Sequence, residues 1–83
     1  MYYVYIISCA DNTLYTGITT DIVRRLKEHN NTKLGAKYTK GRGPFTLVYS
    51  RRFRNRSNAS KEEIRIKRLN RKDKLILIES KKS

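Results

Sequence analysis

Apolar residues near the start of the chain follow the pattern of two strands joined by a short turn. Tyr2–Ser8 is rich in β-branched and aromatic residues and is apolar on both faces. Asp11 and Asn12 then favour a turn, and residues 13–18 form a second run with strand character. The pattern predicts a β-hairpin.

The length of the hairpin loop decides which side chains share a face of the sheet. A three-residue loop over residues 10–12 pairs Ile7 with Tyr15 and places Tyr15 on the same side as Tyr5. A two-residue turn would separate the two tyrosines, because side chains alternate along a strand.

A helix is predicted after the hairpin, because Ile22 and Leu26 recur at helical spacing. Thr20 or Asp21 can cap its first turn, and the pattern ends near Asn30.

The next stretch, residues 31–44, holds three glycines, one proline, four basic residues and no acidic residue. This composition predicts an exposed loop that can close on a phosphate backbone, although an ordinary solvated connection fits it equally. Residues 45–53 then alternate well enough for a third strand, with Phe45, Leu47 and Tyr49 on one face.

Two helices are predicted in the last third of the chain. Ser57 and Ser60 are both candidate caps for a helix that ends near Leu69, and Ser60 with Glu63 matches the spacing of a capping box. Asn70 can cap the final helix, which favours helix over strand for the apolar residues 75–78. These elements predict a single α+β domain over residues 1–83, a three-stranded antiparallel sheet flanked by helices in the order β-β-α-β-α-α.

The charge of the chain indicates a polyanionic partner. Twenty Lys and Arg against seven Asp and Glu give a net charge of +13, which attracts nucleic acid. A membrane surface is not expected, because no strongly amphipathic helix with a Trp or Phe face accompanies the charge. Cys9 is the single cysteine, and the sequence shows no signal peptide or membrane span, so a cytoplasmic location is expected.

Basic residues that can contact nucleic acid fall in the loop of residues 31–44 and in the stretch that follows the third predicted strand. Ordinary solvated surface charge is the alternative interpretation. DNA is preferred over RNA as the expected partner. The predicted contacts are Lys37, Lys40, Arg42, Arg51, Arg52, Arg54 and Lys67.

Phosphodiester hydrolysis needs an oriented water, a proton acceptor and positive charge on the phosphoryl oxygens. Arg25 can supply that charge. Glu63 can hold one Mg²⁺ or Mn²⁺, ions that keep several waters, so a single protein ligand is workable beside the substrate phosphate. By the helical period Glu63 falls on the face of Ala59 and Ile66, and Glu62 on the adjoining face.

Tyr5, Tyr15 and His29 are the candidate proton acceptors. A phenol with its ordinary pKa of about 10 needs help from nearby cations, whereas a histidine at about 6.5 is closer to working pH. Gly17, without a side chain, leaves room for the substrate backbone to approach. Taken singly, each tyrosine is as well explained by packing.

Taken together, these residues resemble the GIY-YIG nuclease superfamily. The chain has YVY at residues 3–5 and YTG at residues 15–17, Arg25 follows Gly17 by eight residues, and His29 lies one helical turn later. The resemblance covers nearly the whole chain and implies a divalent-metal-dependent endonuclease acting on DNA. The site residues that it implies are Tyr5, Tyr15, Arg25, His29 and Glu63.

The sequence departs from the family pattern where Tyr3 and Val4 replace the glycine and isoleucine of the family name. The alternative function is a non-catalytic basic module that binds DNA or RNA. A partner protein that supplies targeting is a further expectation.

Overall fold

Three strands and three helices build the part of the chain that the computed structural model describes, residues 1–30 and 45–82. The strands form one antiparallel sheet in the order β2-β1-β3, which confirms the predicted α+β fold class. None of the helices in the described ranges is long and apolar enough to cross a membrane. The predicted loop of residues 31–44 lies outside these ranges. In chain order the elements are β1 (Tyr2–Ser8), β2 (Leu14–Thr19), α1 (Ile22–Asn30), β3 (Thr46–Phe53), α2 (Arg56–Arg68) and α3 (Arg71–Lys82).

The hairpin has the three-residue loop that the sequence predicts. Cys9 and Thr13 close it through a backbone hydrogen bond of 2.8 Å, and Asn12 adopts a positive φ of 67°, which asparagine tolerates well. Ile7 therefore pairs with Tyr15. Tyr5 pairs with Gly17, so Tyr5 and Tyr15 lie on one face of the sheet.

The two faces of the sheet support separate apolar clusters. On one face Val4 and Ile6 of the central strand pack with Ala59 and Ile66 of α2 and with Ile78 of α3. The opposite face carries Tyr5, Ile7, Cys9 and Phe45, which are joined by the partly buried Tyr15, Leu26 and Leu47. Because β1 is buried on both faces, its run of apolar residues has no polar alternation.

A β-bulge in β3 overturns one prediction of the sequence. Ile6 pairs with Tyr49 but Ile7 pairs with Leu47, so Val48 is an extra residue in β3. Phe45 and Leu47 therefore face the Tyr5 cluster, whereas Tyr49 faces the opposite cluster. The expectation that these three residues share one face is wrong at Tyr49.

Each helix has a polar residue at its start. The carboxylate of Asp21 accepts a hydrogen bond from the backbone of Arg24, and Asn70 caps α3 in the same way, both as predicted. The cap of α2 is Asn55, whose side chain accepts from the backbone N–H of Asn58 at 2.8 Å. The prediction of a serine cap at Ser57 or Ser60 is therefore wrong, and Glu63 is not part of a capping box.

Glu62 occupies the buried position of α2 that the sequence assigned to Glu63. It lies with Ala59 and Ile66 on the packed face and is only 7% exposed. Its carboxylate accepts hydrogen bonds from Arg65 and also from Arg51, and these bonds hold the pKa of Glu62 below its ordinary value. Glu62 therefore stabilises the packing of α2 on the sheet.

Glu62→Gln is expected to lower the free energy of unfolding by about 1 to 3 kcal/mol, because three charge-assisted hydrogen bonds from Arg51 and Arg65 are weakened at a buried position. For a domain of this size that corresponds to a fall in Tm of about 4–8 °C for each kcal/mol. Thermal melts of this variant and of Glu79→Gln, which alters an exposed carboxylate on α3, measure the loss. Equal melting of the two variants would contradict the structural role of Glu62.

Candidate functional site

The hydroxyl of Tyr5 is the centre of a hydrogen-bonded group between the sheet and α1. It lies 2.9 Å from His29 Nε2 and accepts a longer hydrogen bond of 3.4 Å from Arg25 Nε. Tyr5 accepts from Arg25, and the tautomer of His29 sets which partner donates in the hydrogen bond between the hydroxyl and Nε2. Residues 20 and 24 positions away in sequence thus meet at one oxygen atom.

Arg25 and His29 reach Tyr5 because they stand one turn apart on α1, as the sequence predicts. The ring of His29 also lies 5.3 Å from the ring of Tyr15, edge to face, and 6.0 Å from Phe45. These contacts fix the imidazole among aromatic rings.

Burial decides the protonation of this group. It raises the pKa of Tyr5 above its ordinary value, and the hydrogen bond and charge of Arg25 oppose this rise only in part. Burial also lowers the pKa of His29, and the positive charge of Arg25 lowers it further. At neutral pH the pair is therefore a neutral phenol and a neutral imidazole.

Gly17 has a role different from the one that the sequence suggested. A Cβ atom at this position would lie 2.5 Å from the Tyr5 hydroxyl oxygen and 2.7 Å from Cζ of the same ring. The space above Gly17 is thus filled by the tyrosine ring rather than left for a substrate backbone. The glycine lets the Tyr5 ring lie across β2.

Exposure divides the predicted site residues into two groups. Tyr5 and His29 are each 2% exposed, so they form the interior of the site. Tyr15 is partly exposed, and the side chains of Arg25 and Glu63 leave 30% and 19% of their surfaces open. These three side chains are the ones that can touch a substrate.

Glu63 lies on α2 close enough to Tyr5 that its negative charge contributes to the raised pKa of the phenol. Its carboxylate has Lys67 at 3.6 Å, a long ion pair that another cation can displace. Within residues 1–30 and 45–82 no three His, Cys, Asp or Glu side chains cluster as a metal site. One carboxylate at the rim fits Mg²⁺ or Mn²⁺, which take their remaining ligands from water and phosphate.

Glu28 is a site residue that the sequence analysis missed. Its carboxylate pairs with Arg25 at 3.2 Å and with Arg24 at 3.5 Å. The spacing of three and four residues on one helix was the available signal. Glu28 holds the Arg25 guanidinium in place beside Tyr5.

The predicted nucleic-acid contacts separate into different surfaces. Arg51 is tied to Glu62 and stacks over the Phe53 ring at 5.0 Å, so it serves packing on the α2 face. Arg52, its neighbour, is exposed and pairs across β1 with Tyr3, on the face that carries Tyr5. Arg54 is exposed, and Lys67 pairs with Glu63. Lys37, Lys40 and Arg42 lie outside the described residues.

The family model for the GIY-YIG catalytic domain matches residues 1–76. The chain belongs to the GIY-YIG family. The GIY-YIG superfamily is a nuclease superfamily, and its nucleases act on nucleic acid.

Relatives of this GIY-YIG domain are small UPF0213 proteins. A UPF0213 protein of Desulfotalea psychrophila is 52% identical over 95% of this chain and 72% of its own length. One from Oceanobacillus iheyensis is 54% identical over 94% and 90%. The solution NMR structure of a UPF0213 protein from Bacillus halodurans superimposes with a TM-score of 0.64 at 48% identity, covering 98% of this chain and 86% of that one.

Acid is expected to destabilise this GIY-YIG domain through His29. Unfolding releases the imidazole to its ordinary pKa of about 6.5, above its lowered folded pKa, so the unfolded state binds more protons between these values. The free energy of unfolding therefore falls as the pH is lowered through that window.

Thermal melts between pH about 7.5 and about 5.5 measure this loss in the wild type and in His29→Gln. The hydrogen bonds from Arg65 and Arg51 hold the pKa of the buried Glu62 below its ordinary value, so Glu62 does not account for a change in this range. The pH dependence should shrink in the variant. If the Tm of His29→Gln depends on pH as strongly as that of the wild type, a group other than His29 is responsible.

Proposed function

We propose that this chain is a divalent-metal-dependent endonuclease that hydrolyses phosphodiester bonds in DNA. The observation that carries the proposal is that Arg25 and the partly exposed Tyr15 both contact the buried Tyr5–His29 pair. The charge of Glu63 on α2 also acts on Tyr5. Membership of a nuclease family and the net charge of +13 support the same conclusion.

Tyr15 is the proposed contact for the attacking water. Of the three candidate bases it alone has a partly exposed side chain, whereas burial keeps Tyr5 and His29 away from bulk water. The raised pKa of Tyr5 also opposes its loss of a proton. Tyr5 and His29 instead position Arg25 and the Tyr15 ring.

Arg25 is proposed to bind the phosphate. Its guanidinium is held from two sides by Glu28 and the Tyr5 hydroxyl, so its orientation is fixed before substrate arrives. Glu63 is proposed to hold the metal ion. The ion, when bound, supplies positive charge for the phosphoryl oxygens and acidifies a bound water.

DNA is the proposed substrate because the chain is strongly basic and Arg52 extends the charge along the sheet face of Tyr5. A cytoplasmic location and a partner protein for targeting complete the proposal. RNA is the alternative that a substrate screen must include.

The function is tested by cleavage of labelled duplex, flap, junction and single-stranded substrates with Mg²⁺, Mn²⁺ or a chelator. Tyr15→Phe should slow cleavage by about 10²- to 10⁴-fold per folded molecule, the range for removal of a proton-transfer group. Tyr5→Phe should instead lower stability by about 1 kcal/mol, because it removes a buried hydrogen bond to His29. Each variant is the matched control for the other.

Two results decide against this assignment. If Tyr5→Phe loses more cleavage than Tyr15→Phe after correction for folding, the proposed roles of the tyrosines are reversed. If the wild type binds DNA in a salt-dependent way but cleaves no substrate with either metal, the chain is a non-catalytic binding module.

A further inference from the structure

The outward side of α3 carries an apolar strip on an otherwise basic molecule. Leu75 and Ile76 are 43% and 57% exposed, although Ile78 on the same helix is buried against the sheet. Burial of adjacent exposed aliphatic side chains against a partner is energetically favourable. The residues of this open helix face, in the described part of the chain, are Arg71, Lys72, Leu75, Ile76, Glu79 and Ser80.

Lys72 lies toward one end of the strip and Glu79 toward the other, with the two apolar residues between them. At about 100° per residue, Lys72 and Glu79 project at nearly the same angle from the helix, two turns apart. Leu75 and Ile76 flank this line midway between the two charges. The packed residue Ile78 projects away from it, so the strip and the buried face of α3 are separate.

This arrangement is complementary to itself in the antiparallel orientation. A two-fold axis that passes between residues 75 and 76 sets Leu75 against Leu75 of the other copy and Ile76 against Ile76 of the other copy. The same axis sets Lys72 of each copy against Glu79 of the other, because both are equally far from it. We infer that α3 pairs with α3 of a second copy of this chain in an antiparallel homodimer.

A second copy fits this strip better than nucleic acid does. Glu79 lies on the centre line of the strip and would repel a phosphate backbone, whereas it attracts Lys72 of another copy. The net charge of +13 on each copy opposes association, and one helix pair makes a small interface. The dimer is therefore weak and forms at high protein concentration.

The dimer leaves the proposed nuclease site open. None of the proposed site residues belongs to α3, and Tyr5 lies on the sheet face opposite to the one on which α3 packs. Glu63 lies on α2 and is not among the residues that line the strip. The inference therefore stands apart from the proposed function, and neither test depends on the other.

Charge-swap variants test the pairing by sedimentation equilibrium of the whole chain at concentrations up to about 1 mM. Lys72→Glu and Glu79→Lys should each raise the dimer Kd by about tenfold, because each places like charges together twice. The double variant should return the Kd to within about threefold of the wild type. Residues 72 and 79 lie seven positions apart on one helix, so they cannot pair within a copy, and rescue reports on contact between copies.

Ile76→Ser should also weaken the dimer, while Ile64→Ser, which alters an exposed isoleucine on α2, should leave it unchanged. Lys72→Glu is the sharpest variant, since it reduces the net charge and would strengthen association if general repulsion were dominant. A monomeric wild type throughout, or no rescue in the double variant, overturns the inference. If Ile76→Ser lowers the Tm of a monomer, the strip is covered within one copy and the inference is also overturned.

Discussion

Glu63→Gln is expected to reduce metal-dependent cleavage by at least about a hundredfold while DNA binding survives. The substitution preserves the size of the side chain but removes the negative charge that a divalent ion requires. Binding can tighten, because one repulsive charge leaves a surface that faces phosphates. Cleavage and salt-controlled affinity are measured on the same preparation.

Neighbouring carboxylates provide the controls. Glu63 has one long ion pair with Lys67, so its substitution should change stability by less than about 1 kcal/mol. Glu62→Gln should lower the Tm, but the molecules that remain folded should cleave as fast as the wild type. A partial recovery of Glu63→Gln at high Mn²⁺ concentration would identify weakened metal binding as the cause. Wild-type cleavage by Glu63→Gln would show that the metal, if any, is held elsewhere.

Gly17→Ala is expected to lower the free energy of unfolding by about 1 to 3 kcal/mol, because the new methyl group cannot fit beneath the ring of Tyr5. Cleavage should fall as well, since a displaced ring gives up its hydrogen bonds to His29 and Arg25. The backbone of Gly17 is not in the left-handed region, so the clash with the ring is the main cause.

The same substitution in a Tyr5→Leu background isolates this clash. Without the tyrosine ring, alanine should be neutral or stabilising by about 0.4 to 1 kcal/mol, because it restricts the unfolded chain. Thermal melts of the four proteins give the interaction between the two positions. An equal cost of Gly17→Ala in both backgrounds would mean that contacts other than Tyr5 limit the space.

The hairpin and the α1 residues were predictable because local rules determine them. The length of the loop fixes the register of Tyr5 and Tyr15, and helical spacing places Arg25 and His29 together. The caps at Asp21 and Asn70 follow from the same local chemistry.

Other features depend on contacts between distant segments, which periodicity does not report. Glu62 and Glu63 are adjacent, and only the packing of α2 on the sheet decides which of them is buried with Arg51. A glycine is needed at position 17 because the ring of Tyr5, on another strand, occupies the space of a side chain there. Ser57 and Ser60 would cap a helix as well as Asn55 does in isolation. Asn55 is the cap because α2 begins at Arg56, soon after β3 ends at Phe53.

β3 supplies none of the proposed catalytic groups, but the number of residues in this strand decides how both apolar clusters pack. With Val48 in place, Leu47 closes the layer around Tyr5 and Tyr49 closes the layer around Val4. Deletion of one residue here would turn one of these side chains away from its layer. Insertions intended for labelling or domain fusion should therefore avoid β3, even though its surface arginines suggest a tolerant edge.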